Sequence, residues 1–117
     1  MAESVEHFHR YRQQMNERIL ETGNLETKRF FGLDSRVYEP GKIPARTKEL
    51  CGLTASLVLR CDDCVRYHLE QCHNLGWKRD ELVEVLNIAL IVGGSIVIPH
   101  LRRAHEFLDQ LDGSQAH

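Results

Sequence analysis

Two cysteines and a histidine stand close together in the run Cys61-Asp62-Asp63-Cys64-Val65-Arg66-Tyr67-His68. Cysteines three residues apart in the first turn of a helix share one face, with Cα atoms about 5 to 5.5 Å apart, which a disulfide tolerates. Reversible oxidation within the pair is therefore geometrically feasible. A helix N-terminus also favours the thiolate over the thiol, and the thiolate is the form that attacks a peroxide oxygen or another disulfide. His68 follows Cys64 by one turn, at the i,i+4 spacing, so its imidazole can accept or return the sulfur's proton. A base beside a nucleophile is the minimal catalytic pair. A thiolate that meets a peroxide becomes a sulfenic acid, the second thiol condenses with it to a disulfide, and turnover then requires an external reductant.

Each residue has a plainer rival role. A lone CxxC is also half of a structural zinc site, but Cys61 and Cys72 lie about 16 Å apart along a helix, too far for one ion with ligands at about 2.0 to 2.3 Å. A zinc site would need a second segment supplying Cys51, His100 or His105. Attachment of a c-type haem is excluded, because Val65 and not His follows the second cysteine. The reading calls for no metal and no cofactor. Cys51 and Cys72 read as small buried apolar residues, and His7, His9, His73, His105 and His117 as surface residues. His100, after Pro99, begins the last helix and is placed to approach the site. Glu49, Gly52, Ser56 and Arg60 make a small and polar stripe on an otherwise apolar helix. If that helix folds back near residues 59 to 61, Glu49 lies about 13 to 15 Å from the turn and His68 about 9 Å, a mismatch of one helical turn. Glu49 then either reaches the site by side-chain length or a bridging water, or forms an ion pair at the surface.

The elements that must position these groups read as helices. Val5, Phe8, Tyr11 with Arg12 beside it, Met15 and Ile19 recur at helical spacing from Ser4, a suitable N-cap, to Thr22, before the stop Gly23-Asn24. Leu25 to Gly41, interrupted by Gly32 and Pro40-Gly41 and anchored by Phe30, Phe31, Leu33 and Tyr38, reads as short helical turns and loop. Pro44 suits the first turn of a helix with Leu50, Leu53, Leu57 and Val58 on its core face, ending near Arg60. The cysteine-bearing helix spans Asp62 to Leu75, with Gly76 as a left-handed cap. Beyond Trp77 and the acidic start Asp80-Glu81, Leu82 to Val92 reads as a helix buried on nearly all sides. Gly93-Gly94-Ser95 breaks it, and a last helix runs to about Leu111. A β-hairpin about Gly93-Gly94 is the competing reading, disfavoured because it would leave open strand edges.

At 117 residues the chain is sized for one domain, 1–117, with its motif region at 43–111. Its 15 basic and 17 acidic side chains are interspersed, which argues against nucleic acid or anionic lipid as a partner. The polar start Met1-Ala2-Glu3-Ser4 does not resemble a signal peptide, and Ile88 to Pro99 is shorter than the roughly 20 apolar residues of a membrane span. A cytoplasmic location is expected, where structural disulfides are rare and cysteines more often serve chemistry. The apolar helices exceed what so small a monomer covers, so an oligomer is expected.

From Lys48 to Leu111 the sequence resembles the alkylhydroperoxidase and carboxymuconolactone decarboxylase family, in Lys48-Glu49-Leu50, then Cys61-x-x-Cys64-x-x-x-His68, Gly76, an apolar helix and Gly93-Gly94. The resemblance implies an all-α helical bundle of about six helices that assembles as a homotrimer or homohexamer. It implies that Cys64 is the peroxide-reactive thiol, Cys61 its resolving partner, and His68 a proton relay completed by Glu49. Peroxide and an external thiol reductant would be the partners. The chain departs from the family's best-studied peroxidases in carrying Asp63 where they have histidine before the second cysteine. Asp62 and Asp63 oppose thiolate formation, Arg60 and Arg66 offset them, and disulfide exchange stays compatible with the motif. The alternatives are a lyase acting on a lactone acid, as in the decarboxylase branch, which typically lacks the cysteine pair, and a non-catalytic or zinc-binding helical oligomer.

Overall fold

A computed structural model describes residues 4–115 as six α-helices and one 3-10 turn, with no strand among them. Helix α1 spans Val5–Thr22 and opens on Ser4, whose hydroxyl accepts from the His7 amide at 3.0 Å. Helix α2 spans Leu25–Val37, where turns and loop were expected. Asn24 caps it by accepting from the Thr27 amide at 3.2 Å, which sets the helix going, and Gly32 inside it costs only about 1 kcal/mol relative to alanine. Phe30, Leu33 and Val37 do follow helical spacing, but they are exposed, and α2 buries none of its residues.

Helices α3 (Ala45–Val58), α4 (Asp62–Asn74), α5 (Arg79–Gly93) and α6 (Ile98–Gln115) form the bundle, with the 3-10 turn Ser95–Val97 joining the last two. Leu53 and Leu57 of α3, Val65, Leu69 and Cys72 of α4, Leu82, Leu86 and Ala89 of α5, and Ala104, Phe107, Leu108 and Leu111 of α6 make the core. Helix α1 adds Phe8, which meets Phe107 edge-on at 5.6 Å between ring centroids. Pro44 stands one residue ahead of α3 as its cap. Helix α5 corrects the expectation of all-round burial: Ile88, Ile91 and Val92 are 55%, 82% and 68% exposed. The run continues as helix through Gly93, and Gly94 ends it with φ 83°. The hairpin reading is thereby excluded.

Both ends of the motif region are closed by the same device. At the end of α4, Gly76 has φ 91°, its amide donates to the His73 carbonyl, and the Trp77 amide donates to that of Cys72. This is the left-handed cap with paired 5→2 and 6→1 bonds that glycine accommodates without steric cost. At the end of α3 the Arg60 amide donates to the Leu57 carbonyl and the Cys61 amide to that of Ser56, with Arg60 as the left-handed residue at φ 61°. One turn thus ends α3 and delivers Cys61 as the N-cap of α4. Arg46 ties the other ends together, stacking on the Trp77 ring at 3.6 Å and donating to the Leu75 and Gly76 carbonyls.

A side chain at φ above zero costs roughly 1 kcal/mol, so Arg60→Gly is expected to raise unfolding stability by about that amount. Denaturant titration of the two proteins measures it, and a loss of stability would mean that the Arg60 side chain itself holds the turn.

Candidate active site

Cys61 and Cys64 are joined as a disulfide, with Cα atoms 5.3 Å apart, as helical spacing requires. The Cys64 amide also donates to the Cys61 sulfur at 3.3 Å. That contact and the first-turn amides favour negative charge on the pair once it is reduced. Cys61 is half-buried, whereas Cys64 is exposed in a cleft of about 180 Å³ lined by Arg12, Asp34, Asp63, Tyr67 and His68. A larger cleft of about 610 Å³ between α1 and α2 shares Arg12, Asp34 and Tyr67 with it. The nucleophile and base named from the sequence therefore border one space.

His68 is 8% exposed, and its Nδ1 lies 2.8 Å from Oε2 of Glu49, itself 5% exposed. The expected mismatch of one turn between α3 and α4 is closed by direct contact, with no surface ion pair for Glu49. A carboxylate only accepts, so Nδ1 carries the proton and Nε2 is left as the ring's acceptor. Gly52 makes the approach feasible: a Cβ there would stand 2.6 Å from His68 Cε1 and from the Tyr38 hydroxyl oxygen. Tyr38 and Tyr67 pack on the imidazole at 5.4 and 5.1 Å between centroids. Burial, then the Glu49 carboxylate, pushes both phenols above their ordinary range, so they stay protonated at neutral pH. Arg12 lies over the Tyr67 ring at 4.1 Å, bringing α1 to the same site.

The acidic residues beside the sulfurs are arranged otherwise than expected. Asp62 is held by α6, with His100 Nδ1 at 2.8 Å and Arg103 Nε at 2.7 Å. Burial alone would raise the Asp62 pKa, but hydrogen bonds from His100 and Arg103, with their charges, outweigh it and hold the carboxyl below its ordinary value. His100 thus reaches the motif through Asp62, and with Arg103 it brings α6 to the charge of that carboxylate. Cys72 is fully buried, as expected, and burial followed by the Glu49 charge pushes its thiol up to about 12. Cys51 is exposed, contrary to expectation, and lines a separate cleft with Tyr38 and Lys48. The cause is register: Leu50 and Leu53 take the inward positions of α3, which turns residue 51 outward. His9 is exposed, as expected, and its Nδ1 lies 3.1 Å from the buried Glu70. Among the described residues no three His, Cys, Asp or Glu side chains are gathered so as to hold a metal ion. No helix among them is long and apolar enough to cross a membrane.

Sequence reasoning missed Arg12, Tyr38, Tyr67 and Arg103. The last three carry no local signal, while Arg12 interrupts the apolar stripe of α1 at a helical position facing α4.

The model of the carboxymuconolactone decarboxylase family matches residues 24–106. A crystal structure from Thermotoga maritima superposes with a TM-score of 0.89 at 57% identity, covering 93% of this chain and 92% of that one. That protein is described as a carboxymuconolactone decarboxylase family member for which a part in the antioxidative response is suggested. A family member from Legionella pneumophila superposes with a TM-score of 0.72 at 26% identity, covering 93% and 95% of the two chains. An uncharacterised protein of Cupriavidus necator is 31% identical over 83 residues, 71% of this chain and 74% of its own.

The crowding at Gly52 and the burial of Cys72 each have a measurable consequence. Gly52→Ala must displace a ring fixed on three sides, with an expected stability loss of about 1–3 kcal/mol in denaturant titration. Native-state alkylation of the reduced protein, read by mass spectrometry, should label Cys51, Cys61 and Cys64 and spare Cys72.

Proposed function

Because this chain belongs to the carboxymuconolactone decarboxylase family, we propose that it works as a thiol-dependent alkylhydroperoxidase and thiol-disulfide oxidoreductase built on Cys61 and Cys64. The observation that carries this reading is the bonded cysteine pair at the head of α4, sharing a cleft with an imidazole that is locked by a buried carboxylate. The antioxidative part suggested for the Thermotoga maritima protein points the same way.

In the reduced protein, His68 Nε2 accepts the Cys64 proton while Glu49 holds the Nδ1 proton and steadies the imidazolium. The thiolate attacks the terminal peroxide oxygen and the O–O bond breaks. The alcohol leaves with the proton returned by His68, and Cys64 is left as a sulfenic acid. The Cys61 thiol attacks that sulfur, the S–O bond breaks, water leaves and the disulfide forms. An external dithiol then supplies two electrons and two protons, reducing the disulfide through a mixed disulfide and becoming oxidised itself. Exposure of Cys64 suits both peroxide attack and this exchange. Asp63, in place of histidine, faces the same cleft as Arg12. The lyase reading has no comparable support, since its chemistry leaves the bonded pair unused.

Cys64→Ser is expected to abolish peroxide consumption in the presence of dithiothreitol, and His68→Gln to slow it about a hundredfold or more. Cys61→Ser, reduced and then freed of dithiothreitol, should take up one equivalent of peroxide and stop at a Cys64 sulfenic acid, where wild type stops at the disulfide. Wild-type rates in Cys64→Ser would reject the proposal.

A further inference from the structure

Asp62 is the residue directly after Cys61, in the first turn of α4, and so stands next in sequence to the sulfur pair. It is a partly buried anion, 29% exposed at the side chain, and it points to α6. Arg103 Nε donates to one carboxylate oxygen at 2.7 Å, and His100 Nδ1 meets the other at 2.8 Å. Arg103 Nη2 lies a further 3.2 Å from that same ring nitrogen. Two residues from a helix 38 and 41 positions away thus close on one carboxylate of the redox motif.

We propose that Arg103, with His100, is a positioning and charge-setting group for the Cys61–Cys64 pair, keeping the Asp62 charge from suppressing thiolate formation. The inference rests on the preceding reading of the pair as redox-active. A lone carboxylate beside a nascent thiolate destabilises it, since like charges raise each other's pKa. The guanidinium cancels that charge at hydrogen-bonding distance, and its planar fork fixes where the carboxylate sits. The other charged or titratable groups about the sulfurs are Arg12 from α1, Asp34 from α2, and Asp63, Tyr67 and His68 from α4, with Arg60 and Arg66 flanking the pair in sequence. Glu49 of α3 acts through His68. Among the described residues Asp62 is the one of these carboxylates that α6 holds, so substitutions at residues 62 and 103 act on its contacts with Arg103 and His100 and replace no residue lining the cleft.

The test measures the thiol pKa of the reduced pair from the pH dependence of its alkylation rate, with mass spectrometry assigning the site. Arg103→Met should raise that pKa, slowing alkylation on the order of threefold to tenfold below it. Arg103→Lys should restore most of the rate. Asp62→Asn alone, which frees the cation, should lower the pKa below wild type, and this sign can be read even where Arg103→Met is too unstable to study. The double variant Asp62→Asn with Arg103→Met should return near wild type, although it disturbs the α4–α6 contacts more than either single change does. A pKa that follows loss of the tie and ignores charge overturns the inference. Mild peroxide on wild type provides a separate control: failure to lose two hydrogens across Cys61 and Cys64 overturns the redox reading itself, and this inference with it.

Discussion

A carboxylate sealed between two helices must find a partner, and Glu49 finds His68 at 2.8 Å. Much of the local architecture follows from that contact. For the two side chains to meet, α3 and α4 must approach closely, and Gly52 supplies the space by having no side chain. The turn between the helices must be short, and it is, because the left-handed residue that ends α3 is followed immediately by the N-cap of α4. Tyr38 and Tyr67 then enclose the imidazole, leaving little freedom for the ring to rotate. The hydrogen bond fixes the tautomer as well as the position, so structural and chemical roles fall on the same atoms.

The redox motif is supported from several directions by elements of very different stability. Helices α3 and α4 are rooted in the core through Leu53, Leu57, Val65 and Leu69. Helix α6 braces the motif at Asp62 and is itself anchored by Phe107 and Leu108. Helix α1 contributes Arg12 over Tyr67 but roots itself chiefly through Phe8. The Glu49–His68 side of the site is therefore set in the core, and the side walled by Arg12 and Asp34 is built from helices that bury little.

Those parts of the fold governed by local chemistry were legible in the sequence. Ser4 as a cap, Gly76 as a left-handed stop and the helical spacing of Cys61, Cys64 and His68 are short-range signals, whereas the count of about six helices came with the family resemblance. Helix α2 was obscured because Gly32 and Pro40-Gly41 outweighed the spacing of Phe30, Leu33 and Val37. Those three face no core, so the pattern lacked its usual meaning. The same gap misled the reading of α5, where a continuous apolar run implied all-round burial, although within one chain Ile88, Ile91 and Val92 are open. The Glu49–His68 contact was foreseen to within a helical turn, the error being the reach of a glutamate across a glycine. Asp62 with Arg103 lay beyond reach, because nothing local marks which of many arginines will meet which carboxylate from 41 positions away.

Helix α2 has thirteen residues and none of them is buried. A helix of that length standing free in water is marginal, so its order is lent by neighbours and not secured by its own sequence. Lys48 clasps its end by donating to the carbonyls of Val37 and Glu39, each at 2.8 Å. Asp34 of this helix borders both clefts and Phe31 the larger one. A substitution that shifts how α2 rests would therefore redraw both hollows at once, though it touches neither sulfur.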